Sequence, residues 1–136
     1  AHAIAEEAAR RITAKKFDFV LMNFANADMV GHTGNYAAAV KAMETLDQCL
    51  AQVVGAAQKE GYHVLITADH GNADFMVNAD GSPNTAHTLN PVPLFEIDPA
   101  ARRSVRNGRL ADIAPSILHV MGLPVPPQMT GECIVS

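Results

Sequence analysis

Two near-continuous apolar runs, Phe17 to Phe24 and Tyr62 to Ala68, flank a long stretch with helical spacing. That is the pattern of a strand, helix, strand unit with parallel, buried strands. Between the runs, Asn35 predicts a helix cap and Gly61 the stop after about Lys59. Ala39, Met43, Leu46, Leu50, Val53 and Ala57 supply the apolar stripe of that helix. Upstream, Ala1 to Lys16 is rich in Ala, Glu, Arg and Lys, with Ile4, Ala8 and Ile12 spaced along one face, which predicts an amphipathic helix. Downstream, Asn78 to Asn84 reads as a turn or hairpin tip, and Val92 to Ile97 as a third strand whose prolines put it at a strand start or an edge. Asn107-Gly108 marks another turn. Leu110 to Met121 predicts a helix with Asp112 as cap, Pro115 in the first turn and Gly122 as the stop, and Cys133 to Val135 predicts one more short strand. There is no internal repeat or linker, so residues 1–136 are expected to form a single α/β unit.

Parallel strands end on one edge, and open α/β sheets place their ligands there. Asp28 follows the first run, Asp69 and His70 end the second, and His32 and His87 lie in Gly- or Thr-flanked loops nearby. Singly, an aspartate after a strand is ordinarily a turn former or helix cap, and a histidine ordinarily a surface residue. Jointly, three of the six histidines fall beside carboxylates at one predicted edge, whereas His2, His63 and His119 fall in ordinary helical or strand contexts and are read as structural. Mixed carboxylate and imidazole donors suit manganese, zinc, cobalt or iron, while magnesium and calcium sites are usually all oxygen. From strand geometry alone, Asp69 and His70 would point to opposite faces and serve different ions.

Composition narrows the partners. The net charge is −4 with 18% charged residues, which leaves no basic excess for nucleic acid. No apolar stretch approaches the roughly 20 residues of a membrane span, and no signal peptide is visible, so a soluble cytoplasmic protein is expected. Cys49 and Cys133 lack the spacing of a zinc knuckle or redox motif and are read as reduced, packed thiols.

Four runs carry a resemblance: Asn23-Phe-Ala-Asn-Ala-Asp28-Met-Val-Gly-His32-Thr-Gly34, Thr67-Ala-Asp69-His70-Gly-Asn-Ala73, Thr85-Ala-His87-Thr-Leu-Asn-Pro-Val-Pro93 and Leu110-Ala-Asp-Ile-Ala-Pro115. In order and spacing they resemble the cofactor-independent phosphoglycerate mutases of the alkaline phosphatase superfamily, from about Ala1 to Met129-Thr-Gly131. The departures are Asp74 and Phe75 in place of Glu and a polar residue, Leu89 in place of Thr, and Glu132-Cys133 in place of a more polar pair.

The resemblance implies a partial alkaline-phosphatase-like fold, a mostly parallel sheet flanked by helices. It implies a metal-dependent isomerase of glycolysis and gluconeogenesis that interconverts 3-phosphoglycerate and 2-phosphoglycerate, a small phosphorylated three-carbon acid, through a phosphoserine intermediate. Asp28, His32 and His87 match the positions that hold one divalent ion, and Asp69 with His70 those that hold the other; manganese is favoured over zinc or cobalt. If Asp69 and His70 share an ion, the backbone must leave strand geometry at Asp69, which Gly71 makes feasible.

The family's nucleophilic serine, a further aspartate ligand and the arginines and lysine that hold the substrate lie upstream of anything matching this chain. Ser82, Ser104, Ser116 and Ser136 do not match the nucleophile's setting, so no catalytic residue is assigned. The chain is therefore expected to be the carboxy-terminal portion of the metal-binding domain, without its amino-terminal portion or the substrate domain. Such a piece is inactive alone and holds one ion or none. Its partners are the missing upstream segment of the same protein or, through an exposed sheet edge, a second copy of itself. Two other classes stay open: another superfamily phosphotransferase, such as a phosphopentomutase, phosphatase or sulfatase, and a non-catalytic metal-binding module.

Overall fold

The computed structural model describes residues 1–136. In chain order the elements are α1 (His2–Thr13), α2 (Asn26–Gly31), α3 (Tyr36–Lys59), β1 (Val64–Thr67), β2 (Leu94–Ile97) and α4 (Ile113–Val120), the last entered through a 3-10 turn at Leu110–Asp112.

The long helix ends where its sequence signals place it. Asn35 Oδ1 accepts from the Ala38 N–H at 3.0 Å, which satisfies one of the free donors of the first turn. At the other end Gly61 adopts φ +80°, and the Tyr62 and Gly61 N–H groups donate back to Ala57 and Gln58. That is the left-handed cap that only glycine enters without steric cost.

The main core lies between α1 and α3 and is built from small side chains: Ala5, Ala8 and Ile12 face Cys49, Val53 and Ala57. Ala8, Ile12, Ala39, Val53 and Ala57 are buried as expected, and the stripes differ at single positions. Ile4 and Met43 are exposed, while Ala5 and Cys49 are buried, because close helix packing favours the smaller residue at the contact. Both cysteines are free thiols, Cys49 buried under His2 and Cys133 half-buried.

The expected mostly parallel sheet is not formed. The one ladder is antiparallel and two-stranded, with Val64 opposite Ile97 and Thr67 opposite Leu94. Residues 17–24 belong to no strand. Val20, Met22 and Phe24 pack on the helical core, whereas Phe17, Phe19 and Leu21 are exposed by 43%, 48% and 82%. The run thus alternates like a strand but has no neighbour on which to form a ladder, and a strand without a ladder is only an extended segment. The Tyr62 hydroxyl donates to the Phe17 carbonyl at 2.6 Å and ties its start to the core.

The predicted turn at Asn78 to Asn84 is present, closed by a Val77 to Pro83 bridge with Gly81 at φ +82°. Asn107-Gly108, in contrast, is not a turn. That stretch runs alongside the last residues, with Val105 bridged to Val135 and the Arg106 N–H donating to the Ile134 carbonyl, so Cys133 to Val135 supplies a single bridge rather than a strand.

Asp112 does not cap α4 with its side chain. Its buried carboxylate accepts from the Glu132 N–H at 2.8 Å and the Arg109 N–H at 2.7 Å. Ser116, fully buried, donates to the Asp112 carbonyl and accepts from the Ile134 N–H, so these two polar side chains staple the chain's last residues to α4. The backbone donors of Glu132 and Arg109 hold the Asp112 carboxyl below the ordinary aspartate range. A lowered folded-state pKa contributes stability that is present above the unfolded value near about 4 and is lost as pH falls through the folded value. Acid titration of stability is therefore expected to show a loss below about pH 4 that shrinks in Asp112→Asn. Ser116→Ala, which leaves the Ile134 N–H unpaired, is expected to cost about 1–3 kcal/mol in chemical denaturation.

Candidate metal centre

Asp28, in the first turn of the short helix α2, and His32, its carboxyl-terminal cap, sit one helical turn apart, so their side chains share a face. This helix was not expected from the sequence. The i, i+4 spacing of Asp28 and His32 is a sequence signal for it. His87 reaches the same point from the loop before β2, after 59 further residues counted from Asp28.

The three donor atoms form a nearly equilateral triangle. Asp28 Oδ1 lies 3.2 Å from His32 Nε2 and 3.1 Å from His87 Nε2, and the two imidazole nitrogens lie 3.1 Å apart. Donors bound to one ion at bonds of about 2.1 Å with right angles between them lie about 3 Å apart, so the triangle fits one face of a metal's coordination shell. His32 Nδ1 donates to the Thr85 carbonyl at 2.7 Å, which directs the Nε2 lone pair into the triangle. The residues present therefore fit a divalent ion.

Asn72, which the sequence marks only as part of the Thr67 to Ala73 motif, completes the arrangement. Buried at 5% exposure, it donates from Nδ2 to Asp28 Oδ1 at 3.2 Å. Its Oδ1 is buried without a partner and presses on α2 where Gly31 has no Cβ; a methyl there would lie 1.8 Å from that oxygen.

Asp69 and His70 follow β1 where the strand has already ended, so both can face the same side, with Asp69 Oδ1 3.6 Å from His70 Nε2. They do not join the three-donor group. His70 instead stacks on His87, ring centres 3.8 Å apart and planes 25° apart, with its Nδ1 buried and unpartnered. Gly71 does not provide a left-handed turn. Its small size matters instead, because a Cβ would meet Thr88 Oγ1 at 2.1 Å and Asp74 Oδ1 at 2.7 Å.

A second group of potential donors, His63, Glu96 and Asp98, spans the ends of the two strands. His63 Nε2 lies 2.8 Å from Glu96 Oε1, and Asp98 is already engaged by Arg103 Nε at 2.8 Å and by the Ala100 and Ala101 N–H groups. A guanidinium at that distance opposes a cation, which agrees with reading His63 as structural.

A sequence model of the metalloenzyme superfamily matches residues 1–125. The chain is 54% identical over 124 residues to the 2,3-bisphosphoglycerate-independent phosphoglycerate mutase of Parabacteroides distasonis, covering 91% of this chain and 24% of that protein. It is 52% identical over 138 residues to the enzyme of the same name from Desulforudis audaxviator, covering 96% of this chain and 27% of that one. Among solved structures, phosphoglycerate mutase from Leishmania mexicana at low cobalt concentration superposes with a TM-score of 0.87 at 30% identity, over 98% of this chain and 28% of the other. The chain thus spans about a quarter of the length of the curated relatives it matches.

The contact of Asn72 with α2 generates a test. Gly31→Ala is expected to cost about 1–3 kcal/mol by thermal denaturation, because Asn72 must move. In an Asn72→Ala background the same substitution is expected to cost less, and an equal cost in both backgrounds would mean that Asn72 is not what the methyl meets.

Proposed function

The chain belongs to the metalloenzyme superfamily, and on that footing we propose that it is the carboxy-terminal part of the metal-binding domain of a phosphoglycerate mutase. The parent enzyme interconverts 3-phosphoglycerate and 2-phosphoglycerate through a phosphoserine intermediate, in cytoplasmic glycolysis and gluconeogenesis. The observation that carries this reading is the triangle of Asp28, His32 and His87 in a chain 54% identical to such an enzyme.

In this reading Asp28, His32 and His87 hold one divalent ion, and Asp69 with His70 provides two donors to a second. Manganese suits mixed carboxylate and imidazole donors. Cobalt, named for the Leishmania relative, belongs to the same series of first-row metals. Bound there, such ions lower the pKa of an attacking hydroxyl and neutralise the charge that develops on a transferring phosphoryl group. The chain's own residues prepare that environment. Thr85 keeps the His32 Nε2 lone pair available, Asn72 steers the Asp28 carboxylate, and Asp28 and Asp69 offset positive charge.

No serine of the chain is placed to act as nucleophile. Ser82 Oγ is bonded to Asp80, Ser104 to Ser136, and Ser116 is fully buried on α4. The nucleophile and the groups that hold the three-carbon substrate therefore come from the rest of the parent, and this chain alone is inactive. The extended run 17–24 fits that view, since its exposed apolar side chains and unladdered backbone await a neighbouring strand from the parent or, failing that, from a second copy. No helix is long and apolar enough to cross a membrane.

Titration calorimetry is expected to detect manganese binding by this chain, lost in His87→Ala. Absence of binding in the unmutated chain would mean that three donors are too few without the rest of the parent. Imidazole must shed its proton to bind a metal, so affinity is expected to fall as pH drops from 8 towards about 6; a flat profile to pH 5.5 would contradict imidazole ligation. In the full-length parent, Asp28→Ala is expected to abolish turnover of 3-phosphoglycerate. Turnover of a pentose phosphate or an aryl phosphate in place of 3-phosphoglycerate would instead assign another phosphotransferase of the superfamily.

A further inference from the structure

We propose that Asp74 is a positioning residue that sets the distance between His70 and His87 by clamping the loop after β1 to the loop before β2. The proposal rests on the reading of those two histidines as metal ligands. Asp74 touches neither ring. It acts through Thr88 and Asn90, which lie on the same loop as His87.

The clamp is visible in its hydrogen bonds. Thr88 Oγ1 donates to the Asp74 carboxylate, 3.2 Å from Oδ1 and 3.0 Å from Oδ2, and Asn90 Nδ2 donates to Oδ2 at 2.6 Å. The Thr88 N–H donates to the Gly71 carbonyl at 2.8 Å, forming an antiparallel bridge between the two loops. The loops approach so closely that a Cβ on Gly71 would strike both Thr88 and Asp74. Each bridge residue is preceded by one of the two histidines, His70 before Gly71 and His87 before Thr88. Locking the bridge therefore fixes the 3.8 Å ring stack, and with it the point from which His87 Nε2 meets Asp28 and His32.

A carboxylate suits this task because it only accepts, and two donors from two residues converge on it. An amide at position 74 would either turn its NH2 against the Asn90 Nδ2 donor or require the Thr88 hydroxyl to reverse from donor to acceptor, so it cannot accept from both as the carboxylate does. In the sequence Asp74 stands out only as a departure from the family's usual Glu. The structure gives it an indirect role at that boundary between the two loops.

The test compares Asp74→Asn, Thr88→Val and Thr88→Ser with the unmutated chain, each well below its unfolding temperature. Manganese affinity by calorimetry and the visible spectrum of the cobalt-loaded chain are the readouts that a merely structural role would leave unmoved. Asp74→Asn and Thr88→Val are expected to weaken manganese binding about 10-fold or more, the usual effect of losing a group that orients a ligand. Both are also expected to alter the cobalt spectrum, while Thr88→Ser, which keeps the hydroxyl, stays near the unmutated chain. A lower thermal midpoint with unchanged affinity and spectrum would overturn the proposal.

If the unmutated chain takes up no manganese, the metal reading fails on its own terms, and the clamp is then judged in the metal-free chain. There, proton-proton contacts between the His70 and His87 rings in NMR spectra are expected to vanish in Asp74→Asn. Their persistence would overturn the clamp.

Discussion

A carboxylate oxygen and two imidazole nitrogens lie 3.1 to 3.2 Å apart around one point, and once all three lone pairs are freed to face a cation they repel one another unless the cation is there. The rest of the structure can be understood as the framework that holds them there. The short helix α2 sets Asp28 against His32, the Thr85 carbonyl turns the His32 ring, Asn72 supplies a donor to Asp28, and the Gly71 to Thr88 bridge delivers His87. Glycine at positions 31 and 71 removes the methyl groups that would keep these segments apart. The close packing of the loops is thus a precondition of the site rather than a by-product of the fold.

Much of this was legible in the chain. The α3 helix announced itself by its periodicity, its Asn35 cap and its Gly61 stop, because helix ends are set by local backbone chemistry. The candidate donor residues stood out because short motifs carry their own local geometry. Long-range facts were harder to read. An apolar run such as Phe17 to Phe24 reports that its residues can be buried, but not which strand lies beside them, and so a parallel ladder was expected where none is formed. The same blindness explains β1 pairing with β2 in antiparallel fashion. It also explains the shift from Ile4 to Ala5, since the preference for small residues at a helix contact depends on how closely the partner helix approaches.

Polar residues with tertiary partners were likewise missed or misassigned. Asp112 looked like a helix cap because aspartate before a helix usually is one, yet its carboxylate serves two backbone donors, one of them 20 residues away at Glu132. Asp74 looked incidental because its partners, Thr88 and Asn90, follow 14 and 16 residues later. In both cases the side chain's chemistry was plain from its identity, and only its addressee was hidden.

The separation of Asp28 and His87 by 59 residues has a consequence for how the chain folds. Whatever joins those two side chains closes a loop of that length, and the whole of α3 lies inside it. A covalent link closing such a loop would remove about 4 kcal/mol of chain entropy from the unfolded state. An ion held by both ends would restrain the folded chain in the same topological sense, as a reversible cross-link between α2 and the loop that leads into β2. For a polypeptide whose only sheet has two strands, that cross-link would join halves that otherwise meet through few buried side chains.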